Sequence, residues 1–126
     1  MEIVVLILEL GLALIFLFFG LSKMILPYEK IEKKVSWAKD YSHNRLKLFG
    51  LLEVLGGLGL VLPHQLDILP ILTPIAATGL AMIMSGAIAV HLKRDELGMI
   101  VINIVLIFLL AGVGFNSLLD TWHEIL

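Results

Sequence analysis

The chain has 126 residues, of which 60% are hydrophobic and only 16% charged, with a formal net charge of −2 and a mean hydropathy of +1.03. Soluble domains average about 45–50% apolar and 25% charged residues, so this composition places the chain among membrane proteins. At about 20 residues per crossing, four spans leave only short connections, which excludes a separate soluble catalytic domain and makes residues 1–126 a single transmembrane domain. The absence of cysteine excludes disulfides, thiol redox catalysis and iron–sulfur ligation by this chain.

The first predicted span runs from Glu2 to about Leu26 and is stopped by Pro27. It lacks the basic start and small-residue cleavage site of a signal peptide, so it reads as a retained helix. A helical period puts Glu9, Ala13, Phe16, Gly20 and Lys23 on one face, which collects the polar and small residues and is expected to face the bundle. Residues 28–43 (YEKIEKKVSWAKDYSH) form the polar segment. Ile31, Val35 and Ala38 repeat at helical spacing, with Trp37 and Tyr41 beside lysines, the pattern of a short amphipathic helix at the headgroup level.

Span two is expected over Asn44 to Leu62, with Gly50, Glu53, Gly57 and Leu60 along one face and Gly56 and Gly59 allowing close helix approach. A carboxylate at mid-depth costs about 2.5 kcal/mol or more unless compensated, so what Glu53 faces is the central question of the sequence. The short loop Pro63–Asp67 makes spans two and three antiparallel neighbours. Span three, from about Ile68 to Leu92, holds Pro70 and Pro74 in its first turns and repeats Ala77, Ala81, Ser85 and Ala89, a small-residue ribbon suited to packing. Gly86 lies beside that ribbon, and His91 closes the helix. Span four is expected from Leu97 to about Leu119, with Asn103 as the strongly polar residue of its first half. A tail follows, carrying Trp122 and His123 as an interface anchor.

All nine Lys and Arg residues fall between Lys23 and Lys47 or at Lys93 and Arg94. By the positive-inside rule loops one and three are cytoplasmic and both termini lie outside. The basic loop is interleaved with acids and reads as an anchor for acidic lipids, not as a nucleic-acid surface.

This topology sets depths. Glu53 lies about 13 Å above the start of span two, Asn103 about 9 Å above the start of span four, and Lys23 and His91 close the other two spans at the same end. Glu9 lies about 21 Å of helix rise away from Lys23 and carries no assigned role. Lys23, Glu53, His91 and Asn103 are therefore the candidates for a ligand-binding or proton-handling site. A Lys23–Glu53 ion pair is one pairing, and Glu53 with His91 or Asn103 is the other. The competing reading makes them interhelical hydrogen-bond glue, each contact contributing about 0.6 kcal/mol. A haem between His43 and His91 is disfavoured because His43 precedes span two, and no ligand spacing suggests a metal site.

The motifs Phe19-Gly20-Leu21-Ser22-Lys23, Gly50-Leu51-Leu52-Glu53 with Gly56-Gly57, and Met84-Ser85-Gly86-Ala87 followed by His91 occur in matching order along nearly the whole chain. In this the chain resembles the DoxX-like family of small four-helix membrane proteins. The resemblance implies an all-α transmembrane bundle. It also implies kinship with the membrane subunit of an archaeal thiosulfate:quinone oxidoreductase, with membrane redox and oxidative-stress complexes, and with a distant animal branch of receptor-channel assembly chaperones. Lys23, Glu53 and His91 are the positions it carries over to a quinone or lipid-headgroup site. With no redox-active residue in the chain, quinone chemistry requires a protein partner holding the other redox centre. The alternative is a non-catalytic assembly or scaffold protein whose glycine faces meet a partner or a second copy.

Overall fold

The computed structural model describes residues 2–34, 38 and 41–125. Among these residues five helices follow in order: α1 (Glu2–Ile25), α2 (Tyr28–Lys34), α3 (His43–Gln65), α4 (Leu72–Lys93) and α5 (Leu97–Ile125). Four of them, all but α2, are long and apolar enough to cross a membrane. They form an all-helical bundle in which α1 packs on α3, α3 on α4 and α4 on α5, and a shorter α1–α5 seam closes the ring. Sequential neighbours are antiparallel, as short connections require. One end, here the basic end, carries α2 and the α4–α5 turn; the other, the terminal end, carries both termini and the α3–α4 turn.

Where the helices begin and end differs from the sequence expectation in four places, each with a local cause. Helix α3 starts one residue early because the Ser42 hydroxyl caps it, accepting from the Arg45 amide at 3.3 Å. It also runs through Pro63 to Gln65 instead of stopping at Leu62. Pro63 has no N–H to donate to the Gly59 carbonyl four residues back, and the fully buried Thr73 hydroxyl donates to that carbonyl at 3.0 Å instead. One side chain thus repairs the helix and ties α4 to α3. The α3–α4 turn then takes residues 66–71, with Asp67 and Leu69 at φ of 53° and 42°. Accordingly α4 begins at Leu72, with Pro74 in its first turn and Pro70 outside it. Finally, α5 continues to Ile125 across the expected tail. Thr121 is buried there, its hydroxyl bonded to the Ser117 carbonyl at 2.9 Å, and Trp122 lies on the exposed face of the same helix.

The central core is Leu12, Phe16, Leu60, Ala77, Leu80, Met84, Leu110 and Val113, drawn from all four long helices. A second cluster of Ile31, Ala38 and Leu46, flanked by Tyr28, Tyr41 and Phe49, closes the basic end. The Tyr28 hydroxyl donates to the Tyr41 carbonyl at 2.8 Å and fastens α2 to the start of α3. The amphipathic pattern is thus realised at Ile31 and Ala38, whereas Val35 and Trp37 lie outside the described residues.

The small residues divide by position. Gly20 and Gly50 meet where α1 crosses α3: a Cβ on Gly20 would fall 2.6 Å from the Gly50 carbonyl, and one on Gly50 would fall 2.5 Å from the Gly20 carbonyl. Gly57 faces the Ala13 carbonyl on the same seam, Gly56 faces Leu80 of α4, and Ala77 faces Gly114 of α5. The α4 ribbon is only half used. Four residues advance a helix by about 400°, so a repeat of four drifts about 40° per step. Ala77 is buried, Ala81 is partly buried, and Ser85 and Ala89 are turned outward. Gly86 likewise faces open space, so Ser85 and Gly86 pack against no other helix among the described residues.

Candidate functional site

At the basic end the α1–α3 crossing creates the setting for a charge pair. With no side chains at Gly20 and Gly50, the two backbones touch, and Lys23, one turn beyond Gly20, lies against Gly50. Glu53 is about 4.5 Å further along α3, within reach of an extended lysine stem. The Lys23 ammonium donates to Glu53 Oε1 in a direct ion pair. Glu53 is 2% exposed and Lys23 half-buried. Of the pairings open in the sequence, the structure shows Lys23 with Glu53, and the carboxylate is turned toward the bundle. A buried charge is tolerated when paired and hydrogen-bonded, and removing one partner strands the other.

His91 is buried in the last turn of α4, and its Nδ1 lies 2.9 Å from Glu96 Oε1. That contact is built into the α4–α5 turn. Asp95 takes φ 54°, the Glu96 amide bonds back to the His91 carbonyl at 3.0 Å and the Asp95 amide to Leu92, the Schellman arrangement of a helix end. The same turn brings the Glu96 carboxylate over the imidazole. No hydrogen bond or ion pair joins His91 to Glu53 among the described residues.

Asn103 on α5 is 5% exposed, and its Nδ2 is a buried donor with no hydrogen-bond partner among the described residues. An unmet amide donor in an apolar interior costs about 1–3 kcal/mol. The four candidates therefore occur as one ion pair, one helix-end clasp and one unmatched donor, all toward the basic end.

The terminal end holds a second polar group, to which counting depths along the helices assigns no role. Glu9, 3% exposed on α1, has Oε1 at 3.6 Å from Nδ1 of His64 on α3. His64 Nε2 lies 3.0 Å from the Ser117 hydroxyl on α5. Beside them is a cavity of about 230 Å3 lined by His64, Asp67, Pro70, Asp120, Thr121 and Glu124. The sequence does carry a signal for this group, since Glu9, His64 and Ser117 lie at one depth in three helices. It is obscured because His64 follows a proline and reads locally as loop.

A ring of four membrane-length helices enclosing a charged pair defines an integral, multi-pass membrane protein of the four-helix bundle class. The family model described as the DoxX-like family matches residues 7–113, a stretch that includes Lys23, Glu53, His91 and Asn103. The chain belongs to the DoxX-like family. No curated protein and no solved structure matches it.

Proposed function

We propose that this chain is the membrane subunit of a quinone-linked oxidoreductase complex, holding a quinone ring, or a lipid headgroup of similar carbonyl chemistry, toward the basic end of the bundle. The observation that carries this reading is the Asn103 Nδ2 donor, buried within a span and lacking an acceptor among the described residues. A quinone carbonyl is an acceptor with no donor of its own, the complement such an amide requires. Reduction of a quinone by two electrons takes up two protons, so ionisable groups are needed within the span, and intramembrane ionisable residues are functional candidates by default. In this reading the Lys23–Glu53 pair and His91, clasped by Glu96, are the proton-handling groups, and Asn103 fixes the ring. The electrons come from a protein partner, because this chain has no thiol and no cofactor motif. The basic end faces the cytoplasm, since it holds all nine Lys and Arg residues. Single cysteines introduced at Lys93 and Glu124 of this cysteine-free chain should label from opposite sides.

The test is saturable binding of a short-tailed benzoquinone to the purified protein in micelles. Asn103→Leu should abolish binding while leaving the fold as stable or more so, and Glu53→Gln should weaken it. Equal affinity in all three proteins, or no binding to any, removes the reading. A second reading, a non-catalytic assembly or scaffold protein, is favoured by one observation: the reciprocal Gly20–Gly50 contact leaves no space between α1 and α3 for a ligand beside the charge pair. Under it Glu53→Gln changes stability or oligomeric state and Asn103→Leu leaves every partnership intact.

A further inference from the structure

The Glu9–His64–Ser117 group lies at the opposite end from the proposed ligand site and is independent of it. It joins three helices through one imidazole: α1 through Nδ1 and α5 through Nε2, with His64 itself carried on α3 just after Pro63. Two features distinguish it from ordinary helix glue. Glu9 is a nearly fully buried carboxylate whose ion-pair partner is a residue that changes charge in the neutral pH range as a type. And the imidazole borders the cavity and keeps 28% of its side chain exposed, so protons reach it from outside while Glu9 stays enclosed.

We infer that Glu9, His64 and Ser117 form a proton-operated clasp at the terminal end of the bundle, closed while the imidazole is charged and released when it loses its proton. Charged, the ring donates from Nε2 to the Ser117 hydroxyl and, with Nδ1 at 3.6 Å from Glu9 Oε1, balances the buried anion as an ion pair. Neutral, it donates from one nitrogen only and cancels no charge. The groups that face it sharpen the contrast. Asp67 from the α3–α4 turn, with Asp120 and Glu124 from α5, line the same cavity. Every Lys and Arg lies between Lys23 and Lys47 or at Lys93 and Arg94, toward the other end, so the side-chain bases at this end are histidines, His64 in the cavity wall and His123 in the last turn of α5. Once it is neutral, Nε2 still accepts from the Ser117 hydroxyl, but Glu9 is left as a buried anion without a counter-charge, and the α1 side of the clasp loosens from α3.

Thermal unfolding of the purified chain in micelles at pH 6 and pH 9 tests this. The wild-type midpoint should fall by about 4 °C or more on going to pH 9, the shift a change of roughly 1 kcal/mol produces in a small domain. Glu9→Gln, which has no anion to strand, should lose most of that pH dependence, whereas Glu53→Gln should keep it. A Glu9→Gln protein that retains the full wild-type shift overturns the inference. Should Glu9→Gln fail to fold, hydrogen exchange of the wild-type chain decides the matter. After correction for intrinsic rates, the terminal-end turns of α1 and the facing turns of α3 should open at pH 9 and the turns around Glu53 should not. Uniform exchange at both ends refutes the clasp.

Discussion

The α1–α3 crossing predicts that two glycine-to-alanine changes in one bundle will have opposite signs. At Gly20 an added Cβ falls 2.6 Å from the Gly50 carbonyl and 2.9 Å from the Val54 amide. The closest carbon–oxygen contacts between packed helices are about 3.3 Å, so the helices must separate by roughly 0.7 Å. Neither obstacle is the end of a flexible side chain, and overpacking of this kind costs about 1–3 kcal/mol. The separation also draws Lys23 away from Glu53, which adds to the cost. At Gly86 on the outward face of α4 a Cβ meets nothing within 4 Å, and alanine replaces a poor helix former with a good one, a gain of about 0.5–1 kcal/mol. Equilibrium unfolding by dodecyl sulfate in mixed micelles, followed by circular dichroism, measures both. Gly20→Ala should unfold at lower detergent fraction than wild type and Gly86→Ala at the same or higher. A Gly20→Ala protein as stable as Gly86→Ala would mean that the two backbones are not in contact, and the setting of the charge pair would fall with them.

The charge pair itself should show strong coupling. Lys23→Met, which strands a buried carboxylate, should cost about 3–5 kcal/mol, whereas Lys23→Met combined with Glu53→Leu should come within about 1 kcal/mol of wild type or exceed it; simple additivity in the same unfolding assay would contradict the pairing. Thr73→Val leaves the Gly59 carbonyl without the donor that Pro63 cannot supply, and should lower stability by about 1–3 kcal/mol, with an increase in hydrogen exchange at the end of α3. Tyr28→Phe removes the bond to the Tyr41 carbonyl and should cost about 1 kcal/mol, while sparing the four long helices by circular dichroism.

The four spans are legible in the sequence because each is a long apolar run between charged or turn-forming residues. The face Glu9–Ala13–Phe16–Gly20–Lys23 is legible because polar and small residues share a helical period. Helix ends are less so. Pro63 and the polar residues after it look like a loop locally, and only Thr73, ten residues later and on another helix, makes the extra turn possible. At the candidate site, depth along the helices can be counted but the rotation of one helix against another cannot. Thus Lys23 and Glu53 can be placed at similar depth without knowing that Gly20 and Gly50 bring their helices into contact. The partnership of His91 with Glu96 depends on Asp95 adopting a left-handed conformation, which an aspartate permits but does not announce. Ser85 and Gly86 look like part of the packing ribbon because a repeat of four is straight in a sequence and a spiral on a helix.

The most direct test of the account is the distance between the Lys23 Nζ and the Glu53 side-chain carboxyl carbon in lipid bilayers. Solid-state NMR dipolar recoupling on protein labelled with 15N in lysine and 13C in glutamate measures it, with Lys23→Met removing the assigned signal. The account predicts a separation within salt-bridge range, about 4 Å or less. A Glu53 carboxyl with no lysine nitrogen within about 6 Å would contradict it, because that acid would then lie in the membrane without the partner on which the arrangement of α1 and α3 depends.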